Sequence, residues 1–152
     1  MDVDIAVRAD PALGETLLDS AEPEFYVPHE AARRAFETHD SFNLVPYDSN
    51  MKVDVFVLGD GLLDRRQLER RRRISMSPSG PELWVTSPEE QVLRKLSSHE
   101  MGDSDRQWRD VIGILRVSAT QMDLDDLRAT AAELGLGNVL ERALDDARLP
   151  EP

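Results

Sequence analysis

Two short segments constrain the fold most, because apolar and polar residues alternate along them with a period of two. Residues 2–7 read Asp-Val-Asp-Ile-Ala-Val, and residues 52–58 read Lys-Val-Asp-Val-Phe-Val-Leu. This alternation is typical of a β-strand that buries one face and turns the other outward. We therefore predict a strand at each place, with Val3 and Ile5 pointing into the core.

Two further strands complete a small predicted sheet. Residues 42–47 have the composition of a strand, and the polar segment 48–50 that follows them favours a turn. A turn of this kind before residues 52–58 predicts an antiparallel hairpin. Another short strand is predicted at residues 83–85.

Helices flank this sheet in the first half of the chain. Proline suits the first turn of a helix, and Pro11 and Pro28 each stand at the start of a helical pattern. Helices are therefore predicted at residues 11–21 and 29–38. In the first of these, Leu13 is expected on the buried side together with the leucines that follow it.

The C-terminal half of the chain, residues 87–149, is predicted to be helical. Ser87, Pro88 and Glu90 match a capping box, in which a serine begins a helix and a glutamate three residues later faces back toward it. Later helices are predicted to start at Asp105, at Asp123 and after Gly137. Trp84 and Trp108 lie in apolar patterns and are predicted to be core residues.

The fold class that follows is α+β: a small mixed sheet with flanking helices and a helical C-terminal half. A chain of 152 residues is long enough for one domain with a core of its own. We predict a single domain over residues 1–152, with a sheet-containing part at 1–86 and a helical part at 87–149.

The amino-acid composition limits both the cellular compartment and the kinds of site that the chain can form. The chain has no cysteine, which excludes disulfides and cysteine-type zinc sites and favours a reducing cytosol. It shows neither the pattern of a secretory signal nor an apolar run long enough for a membrane helix, so a cytoplasmic protein with no membrane partner is expected.

The formal net charge of -12 opposes binding to a polyphosphate unless basic residues cluster. One cluster exists, because six of the nine residues 65–73 are arginine. A helix is predicted at residues 64–73, and its arginines are candidates for contacts with RNA phosphates. Those candidates are Arg65, Arg66, Arg70 and Arg73. The alternative is a solvated helix face whose arginines pair with nearby acidic residues.

Asp2 and Asp4 are candidate metal ligands. They stand two residues apart on a predicted strand, so both carboxylates are expected on one face. Two ionised carboxylates side by side repel each other and favour a cation between them. Oxygen ligands of this kind suit Mg²⁺ or Mn²⁺. The alternative is a solvated strand edge.

Asp54 is the third candidate ligand. It lies near the middle of an apolar strand, where an ionised carboxylate is costly unless it is paired or binds a metal. Together with Asp2 and Asp4 it has the composition of a site for two metal ions in phosphoryl transfer, and it could accept a proton from an attacking hydroxyl. The alternative is a salt bridge to Lys52 or to an arginine.

Four segments, in order, resemble the nucleotidyltransferase superfamily, in particular its AbiEii-like, toxin-type bacterial group. They span about residues 2–146. The segments that carry the resemblance are Asp2-Val3-Asp4-Ile5, Lys52-Val53-Asp54-Val55-Phe56, Thr86-Ser87-Pro88-Glu89-Glu90 with Leu93-Arg94-Lys95-Leu96, and Arg106-Gln107-Trp108-Arg109-Asp110-Val111.

The resemblance implies a metal-dependent enzyme that transfers a nucleotidyl group from an NTP to a hydroxyl acceptor, in a toxin–antitoxin setting. It implies Mg²⁺ or Mn²⁺ on Asp2, Asp4 and Asp54, with Asp54 also in a catalytic role. By the same resemblance, Lys95 would contact phosphates or substrate, and Asp110 would orient Lys95 or the substrate.

The sequence departs from the family pattern at its start. The family places a helix and a phosphate-binding Gly-Ser turn before the first carboxylate strand, whereas here Met1 alone precedes Asp2. Impaired nucleotide binding is therefore expected. One alternative is a non-catalytic remnant that serves as an interaction module and forms a homodimer through an exposed N-terminal edge. Another is a metal-dependent nuclease.

Overall fold

A computed structural model describes residues 2–100 and 105–148, with the backbone alone described for Asp2 and Pro11. The predicted α+β class, with a small mixed sheet and a helical C-terminal half, is confirmed. Contacts divide the chain into two compact units, the first ending at Arg65 and the second beginning at Arg66.

The first unit contains a four-stranded sheet in the order β1-β4-β3-β2. β1 is parallel to β4, and the other neighbours are antiparallel, so the predicted hairpin is present. The short strand β2 was not predicted. The elements are β1 (Asp2–Arg8), α1 (Pro11–Ala21), β2 (Phe25–Tyr26), α2 (His29–Thr38), β3 (Ser41–Pro46) and β4 (Lys52–Leu58).

The core of this unit lies on one face of the sheet. Val53, Val55 and Val57 of β4 are buried, together with Phe42 and Leu44 of β3. Helix α2 packs against β3 and β4, and α1 packs against α2. The alternation in β4 therefore turns the valines toward the helices and Asp54 toward the opposite face.

Val3 and Ile5 lie on the predicted face, beside buried Val53 and Val55, but they are 40% and 41% exposed, so the prediction that they belong to the core was wrong. β1 lies at the edge of the sheet, whereas α2 packs on β3 and β4. Leu13 is also exposed, and α1 buries Leu18 instead.

Helix α3 (Leu62–Glu69) crosses the boundary between the units and ends earlier than predicted. Arg72 and Arg73 lie instead in β5, which pairs antiparallel with β6. Arginine is a good helix former, but pairing with a neighbouring strand overrides this weak local preference. The elements that follow α3 are β5 (Arg72–Ser75), β6 (Glu82–Val85), α4 (Pro88–Glu100), α5 (Asp105–Ser118), a 3₁₀ turn (Ala119–Gln121), α6 (Leu124–Glu133) and α7 (Gly137–Arg148).

Two helices of the second unit begin at side-chain caps that the sequence predicts. The Ser87 hydroxyl accepts a hydrogen bond from the backbone N–H of Glu90 at 3.4 Å, and an Asp123 carboxylate oxygen accepts one from the N–H of Asp126 at 3.0 Å. Gly135 has a φ of +74°, which lets the chain turn between α6 and α7. Leucines, valines and alanines of α4 to α7 form a buried core.

Among residues 2–100 and 105–148, no helix is both long enough and apolar enough to cross a membrane.

Two glycines that lie on helices, Gly14 and Gly113, differ in the space that surrounds them. An added Cβ at Gly14 would lie 2.8 Å from the ring of Phe36, whereas at Gly113 it would meet nothing within 4 Å.

Alanine is favoured over glycine in a helix, so we expect Gly113→Ala to raise the free energy of unfolding by about 0.5–1 kcal/mol. Overpacking against buried Phe36 should cancel that gain, and we expect Gly14→Ala to lower the free energy by ~1 kcal/mol. Urea denaturation measures both, and a stabilised Gly14→Ala variant would contradict the described packing of α1.

Candidate functional site

The pairing of β1 with β4 brings two of the predicted carboxylates side by side. Asp4 and Asp54 are Cα partners in the parallel register. Partner residues on neighbouring strands lie on the same face, here the face opposite the buried valines. Asp4 is exposed, and the side chain of Asp54 is 20% exposed.

Asp54 already has two partners. Its Oδ1 atom lies 2.9 Å from the ammonium of Lys52, and it accepts a hydrogen bond from the side-chain amide of Asn43. Asn43 is the Cα partner of Asp54 on β3, so Asp4, Asp54 and Asn43 form a polar row across three strands. The salt bridge to Lys52, considered from the sequence as an alternative to metal binding, is therefore present.

Asp2, the remaining predicted ligand, pairs through its backbone with Lys52, and its side chain lies outside the described ones. Among the described residues, no three histidine or carboxylate side chains lie close enough to hold a metal ion. A site for Mg²⁺ or Mn²⁺ on Asp2, Asp4 and Asp54 stays a prediction.

The structure pairs Lys95 with Asp110, as the resemblance implies. Lys95 on α4 donates from Nζ to Asp110 Oδ2 on α5 at 2.7 Å and to Gln107 Oε1 at 3.3 Å. The hydrogen bond from Lys95 holds the pKa of Asp110 below its usual range. The catalytic roles of both residues stay predictions. They belong to the second unit, whereas Asp4 and Asp54 belong to the first.

A second set of ionisable groups, not predicted as a cluster, lies at the start of α4. Arg66 contacts Glu90 at 3.0 Å and Asp126 at 2.5 Å, and Arg70 contacts Asp126 at 3.1 Å and Glu90 at 3.5 Å. Glu90 is almost completely buried, and its Oε2 atom has no hydrogen-bond partner among the described groups. Burial outweighs the two arginines and raises the pKa of Glu90.

Glu89 is buried to the same degree but is better satisfied. Arg72 donates to both of its carboxylate oxygens, at 2.8 and 3.0 Å, and the backbone N–H of Asp123 donates at 3.2 Å. Burial alone would raise the pKa of Glu89, but hydrogen bonds from backbone N–H groups and from Ser87, together with the charge of Arg72, lower it. An open cavity of about 230 Å³ lies beside this pair, lined by Arg70, Arg72, Ser87 and Glu89.

Most of the arginine run is therefore paired with nearby acids. Arg73 contacts Glu82 at 2.5 Å, while Arg65 donates to the carbonyl of Asp60. Binding of RNA through Arg65, Arg66, Arg70 and Arg73 stays a prediction. Pairing of these arginines with acidic residues, the alternative drawn from the sequence, is present. The sequence alone could not identify the partners, because Arg66 and Asp126 are 60 positions apart.

The prediction that Trp84 is a core residue was wrong, because its side chain is 57% exposed. The guanidinium of Arg71 lies over its ring at 4.5 Å from the centroid. Trp108 is half-buried, and its indole N–H donates to Asp146 at 3.1 Å.

Comparison of the chain with protein-family models, with curated proteins and with solved structures gave no match. The resemblance to the nucleotidyltransferase superfamily thus stays a prediction from the quoted segments.

The buried carboxylate of Glu89 gives a prediction about stability and pH. Its pKa is lower in the folded protein than in the unfolded chain, so its charged form stabilises the fold above the ordinary value of 4.5. This contribution is lost as the pH falls through the lowered pKa. We expect Glu89→Gln to reduce the free energy of unfolding at pH 7 by on the order of 2 kcal/mol.

Urea denaturation of the parent and Glu89→Gln proteins between pH 7 and roughly pH 3 measures this effect. The difference should shrink at the acidic end. Glu133→Gln, at an exposed position of α6, removes the same charge and should change the stability by less than about 0.5 kcal/mol. A constant difference at all pH values would contradict the proposed role of the Glu89 charge.

Proposed function

We propose that the protein is a metal-dependent nucleotidyltransferase-like protein that transfers a nucleotidyl group from an NTP to a hydroxyl acceptor. The observation that carries this proposal is the parallel register that sets Asp4 beside Asp54 on the face of the sheet opposite the core. A fixed register keeps these two carboxylates on neighbouring strands and on one face of the sheet.

The groups in this row partly fit a divalent cation. Asp4 and Asp54 supply carboxylate oxygens, which are the ligands that Mg²⁺ and Mn²⁺ prefer. Asn43 already donates its amide N–H to Asp54, which helps to orient that carboxylate. Asp2 is the proposed third ligand. A bound cation would stabilise negative charge that develops on a transferring phosphoryl group.

The ammonium of Lys52 has two consequences for this proposal. It neutralises Asp54 in the absence of a cation, and it must be displaced or must move aside before that carboxylate can bind one. Lys52 therefore competes with the cation for the same oxygen. Lys95 and Asp110 are proposed to act on the substrate phosphates, and the 2.7 Å contact between them supports a role of Asp110 in orienting the ammonium.

The alternative function is a non-catalytic interaction module. The salt bridge between Lys52 and Asp54 favours it, because a structural ion pair explains a carboxylate on this strand without any metal. This alternative predicts neither binding of a divalent cation at Asp54 nor turnover of an NTP.

Binding of Mn²⁺, followed by isothermal titration calorimetry at low ionic strength, separates these functions. We expect the parent protein to bind Mn²⁺ and Asp54→Asn to bind it at least tenfold more weakly, because a charged ligand is lost. Lys52→Met should bind it more tightly, by roughly fivefold, because removal of a competing positive charge gains ~1 kcal/mol at an exposed site. Asp19→Asn, at an exposed position of α1, is the matched control and should leave binding unchanged.

Transfer of a labelled nucleotide tests the remaining step. Incubation with each of the four NTPs and Mn²⁺ should label an acceptor, and Lys95→Met should reduce the labelling while leaving Mn²⁺ binding intact. Equal binding of Mn²⁺ by the parent protein and Asp54→Asn would overturn the metal assignment. Absence of both binding and transfer would favour the interaction module.

A further inference from the structure

The hairpin of β5 and β6 is a two-stranded sheet with exposed side chains. Each strand pairs with the other and with no further strand among the described residues. Ile74, Leu83 and Trp84 leave 41%, 44% and 57% of their surfaces exposed. Two strands alone are only marginally stable in water, so an additional strand at an open edge would stabilise this hairpin.

The two faces of this hairpin differ in chemistry. Arg73 and Trp84 are register partners on one face, and Ile74 and Leu83 are partners on the other. Arg71 lies over the ring of Trp84, and among the described residues its guanidinium contacts no carboxylate. A strand that pairs with β5 should therefore place acidic residues on the Arg73 face and apolar residues on the Ile74 face.

β1 has that pattern. It lies at the edge of the four-stranded sheet and pairs with β4 alone among the described strands. Asp4 is exposed on one face, and Val3 and Ile5 on the other are 40% and 41% exposed. Its seven residues are enough to pair along all four residues of β5.

We propose that the β5 edge of one copy of this chain pairs with the β1 edge of a second copy. The joined sheet would have the strand order β6-β5-β1-β4-β3-β2, with the last four strands from the second copy. Side chains of paired strands share a face when their alternation matches. Asp4 would then lie on the same face as Arg73 and Trp84, and Val3 and Ile5 on the same face as Ile74.

Complementary charge favours the β1 edge of a second copy as the partner of the β5 edge. The chain as a whole carries a formal charge of -12, so two copies repel each other at most orientations. Arg73 is already paired with Glu82, but Arg71 on the same face contacts no carboxylate among the described residues, so this face keeps one uncompensated positive charge. β1 offers that charge a carboxylate with apolar residues in alternation. Each copy carries both edges, so the contact is heterologous.

This proposal does not depend on metal binding or on catalysis, and it is tested in EDTA. Sedimentation velocity across a range of protein concentrations should show reversible association of the parent protein. We expect Arg73→Glu and Asp4→Lys each to weaken association at least tenfold, because each places like charges on the two edges. Arg148→Glu, at an exposed position of α7, makes the same charge change elsewhere and should leave association unchanged.

A mixture of the Arg73→Glu and Asp4→Lys proteins completes the test, since the unaltered β1 edge of the first variant complements the unaltered β5 edge of the second. The two altered edges also carry opposite charges. We expect the mixture to associate where neither variant does alone, which a variant that merely failed to fold could not do. Circular dichroism checks folding of each variant. A parent protein that stays monomeric at about 100 µM, or a mixture that fails to associate, would overturn the proposal. Weakening by Arg148→Glu equal to that by Arg73→Glu would also overturn it, because general repulsion would then explain the effect.

Discussion

The central strand β4 is the element on which the first unit depends. On one face its valines are buried against the helices, and on the other Asp54 lies between Asp4 and Asn43. The same alternation thus builds the core and presents the polar row. A shift of the register by one residue would exchange the two faces, burying the charge and exposing the valines. The hydrophobic core consequently fixes the position of the candidate site.

In the second unit, buried carboxylates have a comparable role. Glu89 and Glu90 follow Ser87 in the first turn of α4, where the N-terminal end of the helix favours negative charge. Their arginine partners come from α3 and β5, and Asp126 comes from α6. The ion pairs therefore connect four elements of this unit, α3, β5, α4 and α6. Such a network tolerates the loss of one partner poorly, because an unpaired charge would stay buried.

Local patterns were sufficient to predict much of the fold. The first helix and the strand at Lys52–Leu58 lie where proline placement and alternation put them, and the serine and aspartate caps of α4 and α6 are present. The errors arose at residues whose burial or secondary structure depends on how distant parts of the chain pack together. The alternation at Val3 identified the strand but could not show that the strand lies at an edge. The preference of arginine for helices likewise could not show that Arg72 pairs with a strand.

The candidate site was predictable only in part, for the same reason. Asp54 and Lys52 are two residues apart on one strand, so their contact was within reach of the sequence as an alternative. The proximity of Asp4 to Asp54 required the strand order, because β1 and β4 are separated by two helices and two strands. The pairing of Lys95 with Asp110 depended on two separate helices, and only the resemblance suggested it.

The arginine cluster also affects how the molecule meets other ions in solution. Four arginines of this cluster are matched by four carboxylates, so the charges of these eight groups sum to zero. The arginines are Arg66, Arg70, Arg72 and Arg73, and the carboxylates are those of Glu82, Glu89, Glu90 and Asp126. The formal charge of -12 is therefore carried by the rest of the chain. A dipolar cluster has a field that decays faster with distance than that of a net charge, and salt screens both within about 10 Å at 0.1 M. An approaching polyanion would first encounter repulsion, and encounter rates with polyanions should rise with added salt, opposite to the usual behaviour of basic proteins.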